Sequence, residues 1–130
     1  MLSEPFRIGR SRTGLGLFAT VSIGKGAFIA EYSGPRIPTK EALDQERRGA
    51  NRYIFTINNR WSIDGSVRGN KARYANHSCR PNARSELERG RIVLRATRHI
   101  KPGEEITYDY STDGDGSIRC RCRPGCNTLF

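Results

Sequence analysis

Glycine and proline punctuate this chain too densely for long helices. Fourteen Gly and six Pro fall among 130 residues. The longest apolar runs, Leu17-Phe18-Ala19 and Ala27 to Ala30, are only three or four residues long. Short strands joined by tight turns are what such punctuation permits. The length predicts one domain that buries roughly 65–70% of its unfolded surface, enough for one modest core. No run is long enough for a transmembrane helix or a secretory signal, so an intracellular protein without membrane contact is expected.

The formal charge is +10, from 23 bases and 13 acids. Residues 60–101 hold 11 bases against 3 acids, whereas residues 102–118 hold no base and five acids: Glu104, Glu105, Asp109, Asp113 and Asp115. A basic surface can attract nucleic acid or another polyanion. The acidic segment reads either as a solvated loop or as a lip for a cationic ligand. Charge alone does not choose between them.

Of four cysteines, Cys120, Cys122 and Cys126 crowd the end and Cys79 lies 41 residues upstream. This grouping suits one tetrahedral Zn²⁺ site, with uncoordinated or redox-active thiols as the alternative. Cys120 and Cys122 are too close to pair easily in an unstrained disulfide.

The patterning predicts a mainly β fold with one real helix. Strands are expected at Phe6 to Arg10, Leu17 to Thr20, Phe28 to Tyr32 and Glu105 to Tyr110. Hairpins are expected from Tyr53–Ile57 with Trp61–Asp64, and from Ala83–Glu88 with Arg91–Thr97 around Arg89-Gly90. The helix is placed at Lys40 to Arg48, capped by Thr39 and ended by Gly49. Asn70 to Ser78 reads as polar and irregular, with about one helical turn.

Three segments carry chemistry-bearing groups. Gly14-Leu15-Gly16 alone is an ordinary tight turn. Asn76-His77-Ser78-Cys79-Arg80-Pro81-Asn82 packs polar groups and a thiol beside a proline; His77 alone would read as a hydrogen-bonded core histidine. Gly103-Glu-Glu-Ile-Thr-Tyr108-Asp-Tyr110 sets two tyrosines on one strand face. Together and in this order, with Glu31-Tyr32-Ser-Gly34, Tyr53-Ile-Phe, Ile63-Asp64-Gly65 and Gly69-Asn70-Lys-Ala-Arg73, they resemble the SET domain family of protein-lysine methyltransferases. The resemblance runs from about Phe6 to Cys126.

That resemblance implies a fold of small curved, β-clip-like sheets with a C-terminal pseudoknot. It divides the chain into a SET domain over 1–110 and a post-SET-like zinc tail over 111–130. It implies S-adenosylmethionine as methyl donor, bound by Gly14, Leu15, Gly16, Tyr53, Arg73, Asn76 and His77. Tyr32 is expected to line a lysine channel, Tyr110 to supply the essential hydroxyl, and Tyr108 to favour mono- or dimethylation. Cys79, Cys120, Cys122 and Cys126 are the implied zinc ligands. Leu15 replaces a frequent Trp, and the tail reads Cys-x-Cys-x₃-Cys, one residue shorter than the common form. Nothing like a cysteine-rich pre-SET segment precedes Phe6, so support from a homodimer is considered.

The chemistry suits these residues. A lysine amine must be neutral to attack a sulfonium methyl, and an apolar aromatic channel disfavours the ammonium by desolvation. Ring faces also attract methylammonium and sulfonium cations. The expected substrate is a lysine-bearing basic protein or peptide, histone or histone-like, in the cytoplasm of a bacterium or at chromatin in a eukaryotic nucleus. The competing reading is a catalytically silent module on the same fold, binding nucleic acid or protein through its basic face.

Overall fold

The computed structural model describes residues 4–12, 14–51 and 53–109. Tyr110, Cys120, Cys122 and Cys126 lie outside them, as do Asp113 and Asp115. The elements run β1 (Phe6–Ser11), β2 (Gly14–Ala19), β3 (Phe28–Tyr32), β4 (Arg36–Pro38), α1 (Thr39–Arg47), β5 (Ile54–Thr56), β6 (Trp61–Asp64), a 3₁₀ turn (Lys71–Tyr74), β7 (Asn76–His77), β8 (Ala83–Glu88), β9 (Arg91–Ala96) and β10 (Glu105–Tyr108). None of the described helices is long and apolar enough to cross a membrane.

The described residues form three small sheets. Their strand orders are β1-β2-β10-β7, β3-β9-β8 and β4-β6-β5. The first carries the expected functional segments: β10 pairs antiparallel with β2 and parallel with β7. The parallel partner arises far earlier in the chain, so the last strand inserts between elements already laid down. Leu17, Leu94, Ile100 and Ile106 are fully buried and, with Tyr32, Phe55 and Tyr108, form one core cluster touching all three sheets. At about 25 cal/mol per Å² of apolar surface, this shared burial is what holds such short ladders together.

The hairpins fall where turn chemistry put them. Arg89 and Gly90 both have positive φ, 52° and 78°, the paired left-handed turn that matches strand twist. In the β5–β6 turn, Asn58 Oδ1 accepts from Arg60 N and Trp61 N, both at 2.8 Å.

Two local expectations change. Gly14-Leu15-Gly16 is not a turn ahead of a strand; it is the first half of β2, paired in register with β1. The helix begins at Thr39, and Thr39 does not cap it. Its hydroxyl donates to Asn58 O and pairs with Ser62 Oγ, each at 2.9 Å, anchoring α1 to the β5–β6 hairpin instead. Tertiary satisfaction of a buried hydroxyl here outweighs local capping. Strand β4 carries no pattern signal; its three residues are held by β6.

Candidate functional site

Gly14–Gly16 pairs with β1 on one edge, but the ladder from β10 stops at Leu17. Beyond that point β10 turns to β7, with Thr107 opposite Asn76 and Tyr108 opposite His77. A notch therefore opens between the start of β2 and β7. Asn76 spans it: Nδ2 donates to Leu15 O at 3.0 Å and to Glu105 Oε2 at 2.8 Å. The other Glu105 oxygen, Oε1, accepts from Ser11 Oγ at 2.9 Å. A Cβ on Gly16 would sit 2.5 Å from Glu105 Oε2 and 3.0 Å from Asn76 Nδ2, so any larger residue would displace these side-chain ends. The Leu15 side chain is half exposed, pointing away from the core.

A second cluster gathers Tyr32, Tyr53 and Arg73. The Tyr32 hydroxyl donates to Tyr53 O at 2.9 Å, and its ring packs on Phe55 with centroids 5.4 Å apart. Gly65 leaves room for that ring. The Arg73 guanidinium lies 5.2 Å from the Tyr53 ring centroid and 4.9 Å from that of Tyr74. It donates from Nη1 to Ser66 O and from Nη2 to Tyr74 Oη, both at 2.8 Å. Its buried Nε has no partner among the described residues. The 3₁₀ turn bearing Arg73 packs against both β3 and β2, so it joins this cluster to the notch.

His77 is buried beside Tyr108. Its Nδ1 lies 3.6 Å from Asp109 Oδ1 and its Nε2 lies 3.6 Å from Cys79 Sγ. Burial pushes its pKa below the ordinary histidine value, and the Asp109 charge pulls it partly back up. The sheet also presents Tyr108 to the core through the alternation of β10, with Ile106 on the same buried face.

The notch fits the amino-acid end of S-adenosylmethionine. The β2 edge is not paired by β10 before Leu17, Gly14 and Gly16 carry no side chains of their own, and Asn76 Oδ1 remains as an acceptor once its Nδ2 is spent on Leu15 O and Glu105. The buried, unpartnered Arg73 Nε is a further polar atom for a ligand to satisfy. For zinc, Cys79 is the one expected ligand within the described residues. Among them no group of three metal-binding side chains converges.

Several working residues carry no obvious signal in the sequence. Glu105 reads as part of an acidic lip, yet its carboxylate is committed to Ser11 and Asn76. Glu104 is likewise occupied, by Arg98 Nη2 at 3.0 Å and Lys101 N at 3.0 Å. Both carboxylates are thus engaged within the domain while remaining partly exposed. Asn70 is fully buried, accepting from Ser33 N at 3.0 Å and donating to Gly65 O at 2.9 Å. Asn82 grips β10, donating to Glu105 O at 2.8 Å and accepting from Thr107 N at 2.9 Å. These residues lie within the segments that carry the resemblance, but the pattern does not say which backbone groups they hold.

The sequence pattern described as "SET domain" matches residues 14–111. Human histone-lysine N-methyltransferase 2D is 37% identical over 129 residues, covering 88% of this chain and 2% of that protein. Histone-lysine N-methyltransferase set-2 of Caenorhabditis elegans is 41% identical over 127 residues, covering 89% of this chain and 8% of that protein. This chain thus spans a small fraction of those relatives' length. A solved structure of ctPRC2, autoinhibited and bound to S-adenosylmethionine, aligns with a TM-score of 0.75 at 29% identity, over 86% of this chain and 16% of that one. A humanized mutant of the Chaetomium thermophilum Polycomb Repressive Complex 2, bound to the inhibitor GSK126, aligns at 0.74 and 30% identity, over 86% of this chain and 15% of that one. Because the pattern spans the notch, the Asn-His segment and β10 alike, this chain belongs to the SET domain family.

Proposed function

We propose that this domain is an S-adenosylmethionine-dependent protein-lysine methyltransferase acting on a basic protein of the histone class. The observation that carries the reading is the open Gly14–Gly16 edge facing Asn76, in a fold that aligns with an S-adenosylmethionine-bound structure. The relatives' names as histone-lysine methyltransferases support the substrate class. In a eukaryotic host such a substrate puts the reaction at chromatin.

When bound, S-adenosylmethionine supplies an electrophilic methyl group on a sulfonium. Leu15 and Gly16 backbone groups and Asn76 Oδ1 would hold its amino-acid end. Arg73, stacked between Tyr53 and Tyr74, closes the wall towards Tyr32. The buried face of β10 carries Tyr108 into the core cluster beside Tyr32 and Phe55. The Tyr108 hydroxyl takes space and limits the product to one or two methyl groups. The Tyr110 hydroxyl would orient the transferring methyl towards a desolvated, neutral lysine amine; the N–C bond would form as the S–C bond breaks, with the thioether as leaving group and the surplus ammonium proton passing to solvent. Alignment of amine, carbon and sulfur supplies most of the rate gain.

The insertion of β10 between β2 and β7, gripped by Asn82, supports a C-terminal pseudoknot in the 1–110 domain. The 111–130 tail would then return Cys120, Cys122 and Cys126 to Cys79 around one zinc ion, a set whose thiol chemistry fits Zn²⁺. Asp113 and Asp115 remain the acids available to a lysine-bearing peptide.

The test is methyl transfer from labelled S-adenosylmethionine to a panel of basic proteins, histones included, with Tyr110→Phe as control and zinc per chain measured in parallel. Label on lysine that disappears in the control, with one zinc per chain, is expected. A folded protein that neither labels nor binds S-adenosylmethionine, yet binds DNA with steep salt dependence, would overturn the reading in favour of a binding module.

A further inference from the structure

We propose that Glu105 is a positioning residue for the methyl donor, acting through Asn76. The inference rests on the cofactor site proposed above. Three strand positions meet at this carboxylate, and Asn76 extends the link to a fourth. Oε1 accepts from Ser11 on β1 at 2.9 Å, and Oε2 accepts from Asn76 on β7 at 2.8 Å. Asn76 Nδ2 also donates to Leu15 O on β2 at 3.0 Å. Glu105 itself opens β10.

A carboxamide can present either its oxygen or its amino group to a ligand. Here both protons of Nδ2 are claimed, one by a charged acceptor, which fixes which way the amide lies. Oδ1 is therefore locked as the acceptor left for a donor, and the α-ammonium of S-adenosylmethionine is the donor that the amino-acid end supplies. The charge adds to the effect. A carboxylate whose oxygen lies within 2.5 Å of where a Gly16 Cβ would stand puts negative potential beside that ammonium. Charge-assisted hydrogen bonds are roughly twice as strong as neutral ones. Neutralising the acceptor would thus loosen the lock without emptying it. Gln at this position can still accept from Asn76, with its own amide donating to Ser11 Oγ.

The test is isothermal titration of wild type, Glu105→Gln, Glu105→Ala and Ser11→Ala with three probes. S-adenosylmethionine carries both the ammonium and the sulfonium. S-adenosylhomocysteine keeps the ammonium but not the sulfonium. Methylthioadenosine lacks the amino-acid end. Glu105→Gln is expected to weaken the first two equally, by about tenfold, and to leave methylthioadenosine within about twofold. Glu105→Ala should weaken the first two further. Ser11→Ala, which removes the partner not leading to Asn76, should change all three by less than about threefold. A uniform loss across the three probes in Glu105→Gln would mean a merely structural role and overturn the proposal. So would equal affinity of Glu105→Gln and wild type for every probe. If wild type binds none of the probes, the proposed function fails instead, and the two failures are distinct.

Discussion

Asn82→Ala should be the most damaging single change in the sheet that carries the site. Asn82 is 3% exposed. Its carboxamide behaves as a peptide group from a missing strand, donating to Glu105 O at 2.8 Å and accepting from Thr107 N at 2.9 Å. Residues 105 and 107 lie two apart and so present these groups on one edge of β10. Ala would leave a buried N–H and a buried C=O without partners. Each costs about 1–3 kcal/mol, so the pair costs roughly 2–6 kcal/mol. A domain of this size has roughly 5–15 kcal/mol in all. The expected fall in Tm is about 6–20 °C. Asn82→Asp keeps the acceptor, loses the donor and sets a carboxylate against the Glu105 carbonyl, so it should not rescue. The assay is thermal denaturation read by far-ultraviolet circular dichroism, with urea unfolding to check that the slope is unchanged. A Tm within ~2 °C of wild type, at unchanged slope, would show that the two backbone groups find other partners and would refute the reasoning.

Other outcomes follow from single contacts. Gly16→Ala puts a Cβ 2.5 Å from Glu105 Oε2 and 3.0 Å from Asn76 Nδ2; S-adenosylmethionine affinity should fall by about tenfold or more as the Asn76 amide is displaced, and unchanged affinity by calorimetry would sink this account of the notch. Acid sensitivity should trace to β8 and β9. The hydrogen bond from Arg95 holds the Glu88 carboxyl down to about 2, with Arg95 Nε at 2.6 Å from Oε2. A depressed carboxylate gives stability that is full above its unfolded value near 4.5 and is lost as pH falls from there to about 2. Arg95→Gln should therefore flatten the stability curve between pH 5 and 2, and an unchanged slope there counts against the assignment.

The fold was legible where one local rule acted unopposed. Arg89-Gly90 made a hairpin because both residues take positive φ. Phe28–Tyr32 formed at its expected bounds because Ile29, Ala30 and Tyr32 are buried in the core while the strand pairs with β9. The Gly14–Gly16 and Asn76–His77 segments were recognisable as motifs, and the structure brings them together through Asn76 and Leu15. Sequence reading failed where a polar residue had two possible employers. Thr39 carries a helix-capping side chain, but Asn58 O and Ser62 Oγ compete for its hydroxyl inside the core, where an unmet hydroxyl costs more than an unmet cap.

Glu104 and Glu105 show the same limit from the side of charge. Counted along the chain, they join Asp109 in an acidic run facing a basic domain, and a long-range attraction is the natural inference. In space each carboxylate is engaged at contact distance, Glu104 by Arg98 and Lys101, Glu105 by Ser11 and Asn76. The Arg98 hydrogen bond, its largest cause, lowers the Glu104 pKa. A charge with a cationic partner at 3.0 Å has little field left for a distant peptide, because water and salt screen what the partner does not cancel. A charge among neutral donors, as Glu105 is, keeps its field but spends it locally. That is why the run of acids predicts a surface while the hydrogen bonds of Glu105 describe a site, and why neutralising Glu105 should alter donor binding rather than peptide KM.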